Sequence, residues 1–193
     1  MLAPWRSHLS RALHRNRSQP NSRYLQLATV SPQGIPANRT VVFRGFFSDE
    51  NNSLKIVTDS RSDKINHIHH QPQVEACWYF PKTREQFRLA GTIQVITAAE
   101  SDRELQQARQ TTWQNLSDAA RSQFAWAEPG KPLVNPEASN IDISIPDSPL
   151  SNFCLLLLIP HRVDRLELKG NPHNRCLYCL QSDGTWSIQP VNP

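Results

Sequence analysis

The sequence predicts a mostly β fold, an antiparallel sheet or barrel with flanking helices, organised as one domain over residues 1–193. Three observations carry this. Five β-rich segments follow one another between Tyr24 and Thr97, most of them joined by short polar turns. Apolar and polar residues alternate within them, the two-residue period of a half-buried strand. Helical spacing is confined to the N-terminus, a short stretch after Thr58 and the segment after Ala98. Strands that succeed one another through turns, without a helix between each pair, favour antiparallel pairing.

Each element has a local reason. Pro4 sits where a first helical turn tolerates it, and Trp5, Leu9 and Leu13 recur at i, i+4 and i+8, one apolar stripe on a short basic helix. The period then drops to two in "YLQLATV"; "SPQGIP" supplies turn residues, and "NRTVVFRG" resumes with β-branched and aromatic residues, which predicts a hairpin. "SDENN" is a turn into the strand "SLKIVT", "RSDKINHIHHQ" reads as a short helix, and the strands "VEACWYF" and "QFRLAGTIQVIT" flank the turn "PKTRE". From 98 to 126 the chain turns helical, with Leu105, Ala108, Thr112, Leu116 and Ala120 at three- to four-residue spacing. Residues 127–152, rich in Pro, read as a loop or arm, because irregular segments of that length are usually functional lids, interface arms or partly disordered. The strands "NFCLLLLI", "HRVDRLELK" and "NRCLYCLQ" close the chain, with "SDG" turning toward Trp186.

Composition narrows the function. The net charge is +4 in 193 residues, but acids are mixed among the basic residues and no like-charge block occurs, so nucleic acid is not the expected partner. No apolar run approaches the roughly 18 to 20 residues of a membrane helix, and the basic N-terminus has no signal-peptide core, which together predict a cytoplasmic protein with no membrane contact. Cys176 and Cys179 lie three apart in a strand-like stretch, where such positions face opposite ways, so they are expected to be free thiols and no metal site is expected.

The stretch "TDSRSDKINHIHHQP", Thr58 to Pro72, concentrates the polar chemistry. A strand that ends at Thr58 and is followed by Ser60, Arg61, Ser62 and a helix brings together free backbone N–H groups, hydroxyls and the positive end of a helix dipole. That is an anion cradle, to which Lys64 adds a mobile charge and Arg61 a planar fork. On that helix His67 and His70 share a face while His69 lies round the axis, an arrangement poorly suited to a metal. All three are expected on a solvated face, with His67 and His70 turned from the cradle.

Three stretches in register, Arg39-Thr-Val-Val-Phe-Arg44, Val57 through Lys64 and Arg84-Glu-Gln86-Phe-Arg88-Leu-Ala-Gly91, resemble the flavin-binding motifs of the pyridoxamine 5′-phosphate oxidase family. The likeness continues in "LQLATVSPQGIP" and in "RLELKGNPHNRCLY", and is nearest to the oxidase-related FMN-binding proteins. It implies an FMN-binding split barrel of antiparallel, Greek-key type that forms a homodimer with an FMN in each of two clefts between subunits. Arg39, Lys64 and Ser62 would hold the FMN phosphate, with Arg61 as a substitute cation. Thr40, Val41 and Val42 would lie along the isoalloxazine, Val57 and Thr58 would offer backbone and hydroxyl contacts, Gln86 would bond the ring's polar edge, and Arg175 would complete the cofactor set.

The resemblance also implies an oxidoreductase acting on a small molecule, a B6 vitamer or another phosphorylated compound, with Arg44, Ser122 and His173 as candidate substrate contacts. Several positions depart from the family pattern. Asp63 stands where a second phosphate-binding cation is expected, Asn171 where a substrate-reading Arg is expected, Asp118 in place of a substrate-phosphate Arg, and Leu166 in place of an aromatic. A weakened substrate clamp follows. The alternative is a split-barrel module that binds flavin or haem without turnover.

Overall fold

The computed structural model describes residues 2–133 and 146–193. Its strands are β1 (Tyr24–Val30), β2 (Pro36–Val42), β3 (Leu54–Asp59), β4 (Gln73–Phe80), β5 (Glu85–Ile96), β6 (Phe153–Glu167), β7 (Asn174–Leu180) and β8 (Trp186–Val191). The helices are α1 (Pro4–Asn16), α2 (Asp63–His70), α3 (Arg103–Gln114) and α4 (Asp118–Ser122). All strand pairs are antiparallel, in the order β2-β1-β4-β5-β6-β7-β8, with β3 paired to β6. The sheet curls without closing, the split barrel that the sequence motifs imply.

The two segments "NFCLLLLI" and "HRVDRLELK" are one 15-residue strand, β6, where two strands were expected. Pro160, which lies between the two segments, sits at a register shift opposite Ala90 and Gly91, the setting in which a strand tolerates a residue without an N–H. One edge of β6 pairs with β5 throughout. The other pairs with β3 over Phe153–Leu158 and with β7 over Arg162–Glu167, so the bulge falls where one partner hands over to the next.

The continuous apolar run of β6 is explained by burial on both faces. Leu156 and Leu158 join the main core with Ile56, Trp78, Phe80 and Phe87. On the opposite face Leu155 and Leu157 pack with Ile96 beneath Leu105 and Ala108 of α3. α1 enters the main core through Trp5, Leu9 and Ala12, with Leu13 only partly buried, because the contact stripe follows i, i+4, i+7.

The helical segment breaks into α3, α4 and a 3-10 turn at Gln123–Ala125. Asp102 caps α3 by accepting from the N–H groups of Glu104 and Leu105, and Ser117 caps α4 by accepting from Ala120 N–H. Trp113, Phe124 and Phe153 form a mutual edge-to-face cluster with centroids 5.0–5.7 Å apart, which pins this segment to β6. The Pro-rich expectation for 127–152 falls partly on residues 134–145, outside the described residues.

A polar anchor reinforces the aromatic one. Arg61 forks onto the Asp59 carboxylate at 3.0 and 2.6 Å and donates to the carbonyls of Phe124 and Trp126. Asn152 Nδ2 donates to Asp59 Oδ2 at 2.7 Å and to Phe124 O at 2.8 Å. Burial pushes the Asp59 carboxyl upward, but the hydrogen bonds from Arg61 and Asn152 together outweigh it and hold the group below its ordinary 3.8.

Two outcomes follow from these contacts. A Cβ on Gly91 would lie 2.2 Å from Ile159 O, backbone that cannot yield. Gly91→Ala should therefore cost about 1–3 kcal/mol in urea unfolding, whereas unchanged stability would show that β5 and β6 separate freely at the bulge. The folded pKa of Asp59 lies under its unfolded value, so the anchor's contribution is complete above about pH 4 and is lost as pH falls through the depressed pKa. Asp59→Asn should consequently lose less stability than the parent between about pH 5 and about pH 2. Equal acid sensitivity of the two proteins would contradict the anchor.

Candidate functional site

β2 is hydrogen-bonded to β1 and β3 to β6, but the two strands are not paired with each other. They are tied only past the end of β2, by the Phe46–Leu54 bridge and by Arg44 N–H to Lys55 O and Lys55 N–H to Gly45 O, each 2.8 Å. Beyond that tie lies a cleft of about 610 Å³. Its walls are residues 39–42 of β2 and 57–59 of β3; Arg44, Lys64 and Tyr24 lie around it, and Leu116, Ala120, Phe124 and Trp126 come from the helical segment.

At one end of the cleft the chain from Thr58 to Lys64 folds into a donor cradle. Lys64 Nζ donates to Thr58 Oγ1 at 2.8 Å and Ser62 Oγ at 2.9 Å, leaving one ammonium N–H over. Ser62 donates its own proton to Asp59 O at 2.7 Å and stands at the N-cap of α2 without capping it. Its hydroxyl holds Lys64 instead, and no side-chain cap bond closes the start of the helix.

Arg39 reaches in from β2. Its NH1 donates to Thr29 Oγ1 at 2.6 Å, Leu27 O at 3.1 Å and Ala37 O at 3.2 Å, while Nε and NH2 have no protein acceptor among the described residues. Arg39, Arg44 and Lys64 take part in none of the ion pairs among the described residues. Burial is the first cause that lowers the pKa of each; Arg39 adds to the effect on Lys64 and Arg23 to that on Arg44, while Asp63 pulls Arg39 back upward and Asp59 and Asp63 do the same for Lys64. Arg44 Nε is buried without a partner. Half-buried cations with spare donors and, among the described residues, no carboxylate within ion-pair distance suit an anion brought from outside.

Of the sequence-derived candidates, Arg39, Thr40, Val41, Val42, Arg44, Val57, Thr58 and Lys64 line this one cleft, and Ser62 supports it through Lys64. Arg61 does not join them as the expected substitute cation, because its fork is spent on Asp59 and on two carbonyls. Ser122 turns back to Ala119 O at 3.1 Å. Gln86 lies on β5 opposite Tyr79, and Arg175 grips Asp164 at 3.1 and 2.8 Å. His173 and Arg175 line a separate groove beside Pro190. Within one chain these three are not brought to the cleft.

Two residues were missed or misplaced by sequence reasoning. His67, expected to point away, bonds through Nδ1 to Thr29 Oγ1 at 3.0 Å. The signal was present in part, since His67 lies three residues beyond Lys64 and so shares its helix face. Nothing local marked Thr29 as its partner. Another hollow, of about 250 Å³, contains Arg11, Arg15, Lys82 and Lys169, but these are exposed long side chains rather than donors held by partners. Among the described residues no cluster of His, Cys, Asp or Glu could hold a metal, and no helix is long and apolar enough to cross a membrane.

Comparison with known proteins agrees with this geometry. Residues 2–97, which include β1 to β5, match the family model "Pyridoxamine 5′-phosphate oxidase, FMN-binding domain". The chain is 40% identical to pyridoxine/pyridoxamine 5′-phosphate oxidase 2 of Arabidopsis thaliana over 100% of its own length and 98% of that protein. It superimposes on the crystal structure of a pyridoxamine 5′-phosphate oxidase-related, FMN-binding protein of Nostoc punctiforme with a TM-score of 0.94 and 53% identity, covering 100% of both chains. The fold is shared with PhzG of Burkholderia lata, at a TM-score of 0.79 and 18% identity over 100% of this chain and 98% of that one. The split between β2 and β3, its unbalanced cations and these likenesses identify the chain as a member of the pyridoxamine 5′-phosphate oxidase family of split-barrel flavoproteins, with FMN as its cofactor.

Proposed function

We propose that the protein is an FMN-dependent oxidoreductase of the pyridoxamine 5′-phosphate oxidase type, in which Arg39, Lys64 and Thr58 hold the FMN phosphate at the split between β2 and β3. The observation that carries this is the pair of half-buried cations, Arg39 and Lys64, with spare donors and no carboxylate partner in the ion pairs among the described residues. A phosphate supplies the missing charge and acceptors, and the open start of α2 adds its dipole. Thr40, Val41, Val42 and Val57 offer a β-branched wall for a flat ring. FMN when bound supplies a two-electron acceptor. The chain's part is to orient the ring, shield it beneath Phe124 and Trp126, and hold its phosphate away from the reacting end.

The active unit is a homodimer. Gln86 and Arg175 sit on strands, and His173 just before β7, away from the cleft of their own chain, and the family resemblance assigns Gln86 and Arg175 to the cofactor and His173 to the substrate. A second chain is the simplest source of the missing wall, and pairing is the commonest way in which a half-walled site is completed. Light scattering on the FMN-saturated protein should give twice the chain mass. A monomer that retains full FMN occupancy at micromolar concentration would overturn the shared cleft.

The substrate is a small phosphorylated molecule of the B6 class, held less firmly than in relatives with a cationic clamp. Asp118 is paired with Arg121, Ser122 is bonded to its own helix, and Asn171 brings no charge. A charge-assisted phosphate contact contributes roughly 1.5–3 kcal/mol, so losing one raises KM about tenfold to hundredfold. Steady-state oxidation of pyridoxamine and pyridoxine phosphates tests this, and a KM equal to that of a clamp-bearing oxidase would assign the clamp to other residues such as Arg44.

The cradle has its own test. Lys64→Ala should raise the FMN dissociation constant by about tenfold to hundredfold and leave that of riboflavin, which lacks the phosphate, nearly unchanged. Equal weakening of both flavins would make Lys64 a support of the ring pocket or the fold. The absorbance of the purified protein separates a flavoprotein from a haem-binding module at the outset.

A further inference from the structure

We propose that Thr29 and His67 form a positioning relay that holds Arg39 in its phosphate-binding posture, so that α2 governs FMN affinity through a side chain outside the cleft. This rests on the reading of Arg39 and Lys64 as the phosphate cradle.

The geometry is a chain of three groups from three elements. Arg39 NH1 carries two protons and meets three acceptors, of which Thr29 Oγ1, at 2.6 Å, is nearest. All three contact the same nitrogen, so one corner of the guanidinium is fixed and Nε and NH2 stay available to an anion. Because the Thr29 oxygen accepts from Arg39, its own proton is free to be donated, and His67 Nδ1 stands 3.0 Å away to accept it. The sequence Arg39 to Thr29 to His67 is thus head to tail, the arrangement in which successive hydrogen bonds polarise one another. It requires His67 to present an unprotonated Nδ1, which places the ring proton on Nε2.

Burial makes the relay exacting. Thr29 is 1% exposed, so its hydroxyl has no water to replace a lost partner. With His67 Nδ1 absent, the hydroxyl must rotate toward another acceptor, and the two carbonyls that share Arg39 NH1 with it, those of Leu27 and Ala37, are already used by Arg39. Competition for them pulls the guanidinium off the posture that leaves Nε and NH2 spare. His67 is not part of the cleft wall, so its effect should be felt at the phosphate and not at the ring.

The test measures the dissociation constants of FMN and riboflavin, by flavin fluorescence, on the full chain freed of flavin. His67→Ala should weaken FMN by about twofold to tenfold, the range of one neutral hydrogen bond, and leave riboflavin unchanged. His67→Asn, whose amide oxygen lies near the place of Nδ1, should restore most of the loss. Thr29→Val should match His67→Ala, and the double variant should be no worse than Thr29→Val alone, since both break one relay. Should Thr29→Val fail to fold, the contrast between His67→Ala and His67→Asn, both on a helix surface, decides the matter.

Arg39→Ala separates the two ideas under test. If it spares FMN, the cradle reading fails and the relay with it. If it weakens FMN selectively while His67→Ala does nothing, or if His67→Ala weakens both flavins equally, the cradle stands and the relay is overturned.

Discussion

The length of β6 and the way its edges are shared govern the rest of the molecule. A 15-residue strand paired along one edge with β5 offers its other edge to two partners in succession, β3 and then β7. The changeover falls at Pro160, where a missing N–H would otherwise leave a gap in a ladder, and the facing strand admits it because Gly91 has no Cβ to strike Ile159 O. β3 spends one edge on β6 and β2 one edge on β1, and beyond the Phe46–Leu54 bridge their remaining edges are not hydrogen-bonded to each other. The open seam lies between these two strands, each of which is paired on one edge alone.

An open seam in a sheet is costly unless something uses it, since it exposes unpaired backbone and apolar wall. Here it is filled from two directions. The helical segment covers part of the opening, fixed by the Trp113, Phe124 and Phe153 cluster and by the Asp59, Arg61 and Asn152 network. Under the proposed function the remaining donors of Arg39 and Lys64 take the FMN phosphate. Burial disfavours their charged forms, and a bound phosphate reverses that penalty. Asp63 offers partial compensation in the same place. The family pattern would put a cation there, so this chain trades some attraction for phosphate against less repulsion within its own cradle.

The Thr58–Lys64 turn sends its two cations in different directions. Both Arg61 and Lys64 read as phosphate ligands in one dimension. In three dimensions Lys64 stays with Thr58 and Ser62, whereas Arg61 turns to the covering segment. The same turn thus presents one cation to the cleft and ties the covering segment with the other.

Local chemistry made much of this legible in advance. The two-residue alternation in β1 to β5, the hydroxyl-rich start of α2, and Lys64 within one turn of that start depend on neighbours close in sequence, and the periodicities of strand and helix fix which way such residues face. Eight of the residues named from the motifs meet in one cleft for the same reason. What sequence left undecided rests on pairings between distant segments. Whether Pro160 ends a strand or bends one depends on Gly91, 69 positions away. Whether Arg61 faces a ligand or Phe124 depends on where the helical segment docks. Whether His67 is idle or bonded depends on Thr29, placed beside it by the packing of α2 on β1. A side chain's direction is written in its local period, but its partner is chosen by which surfaces burial brings together, and only the tertiary structure settles that.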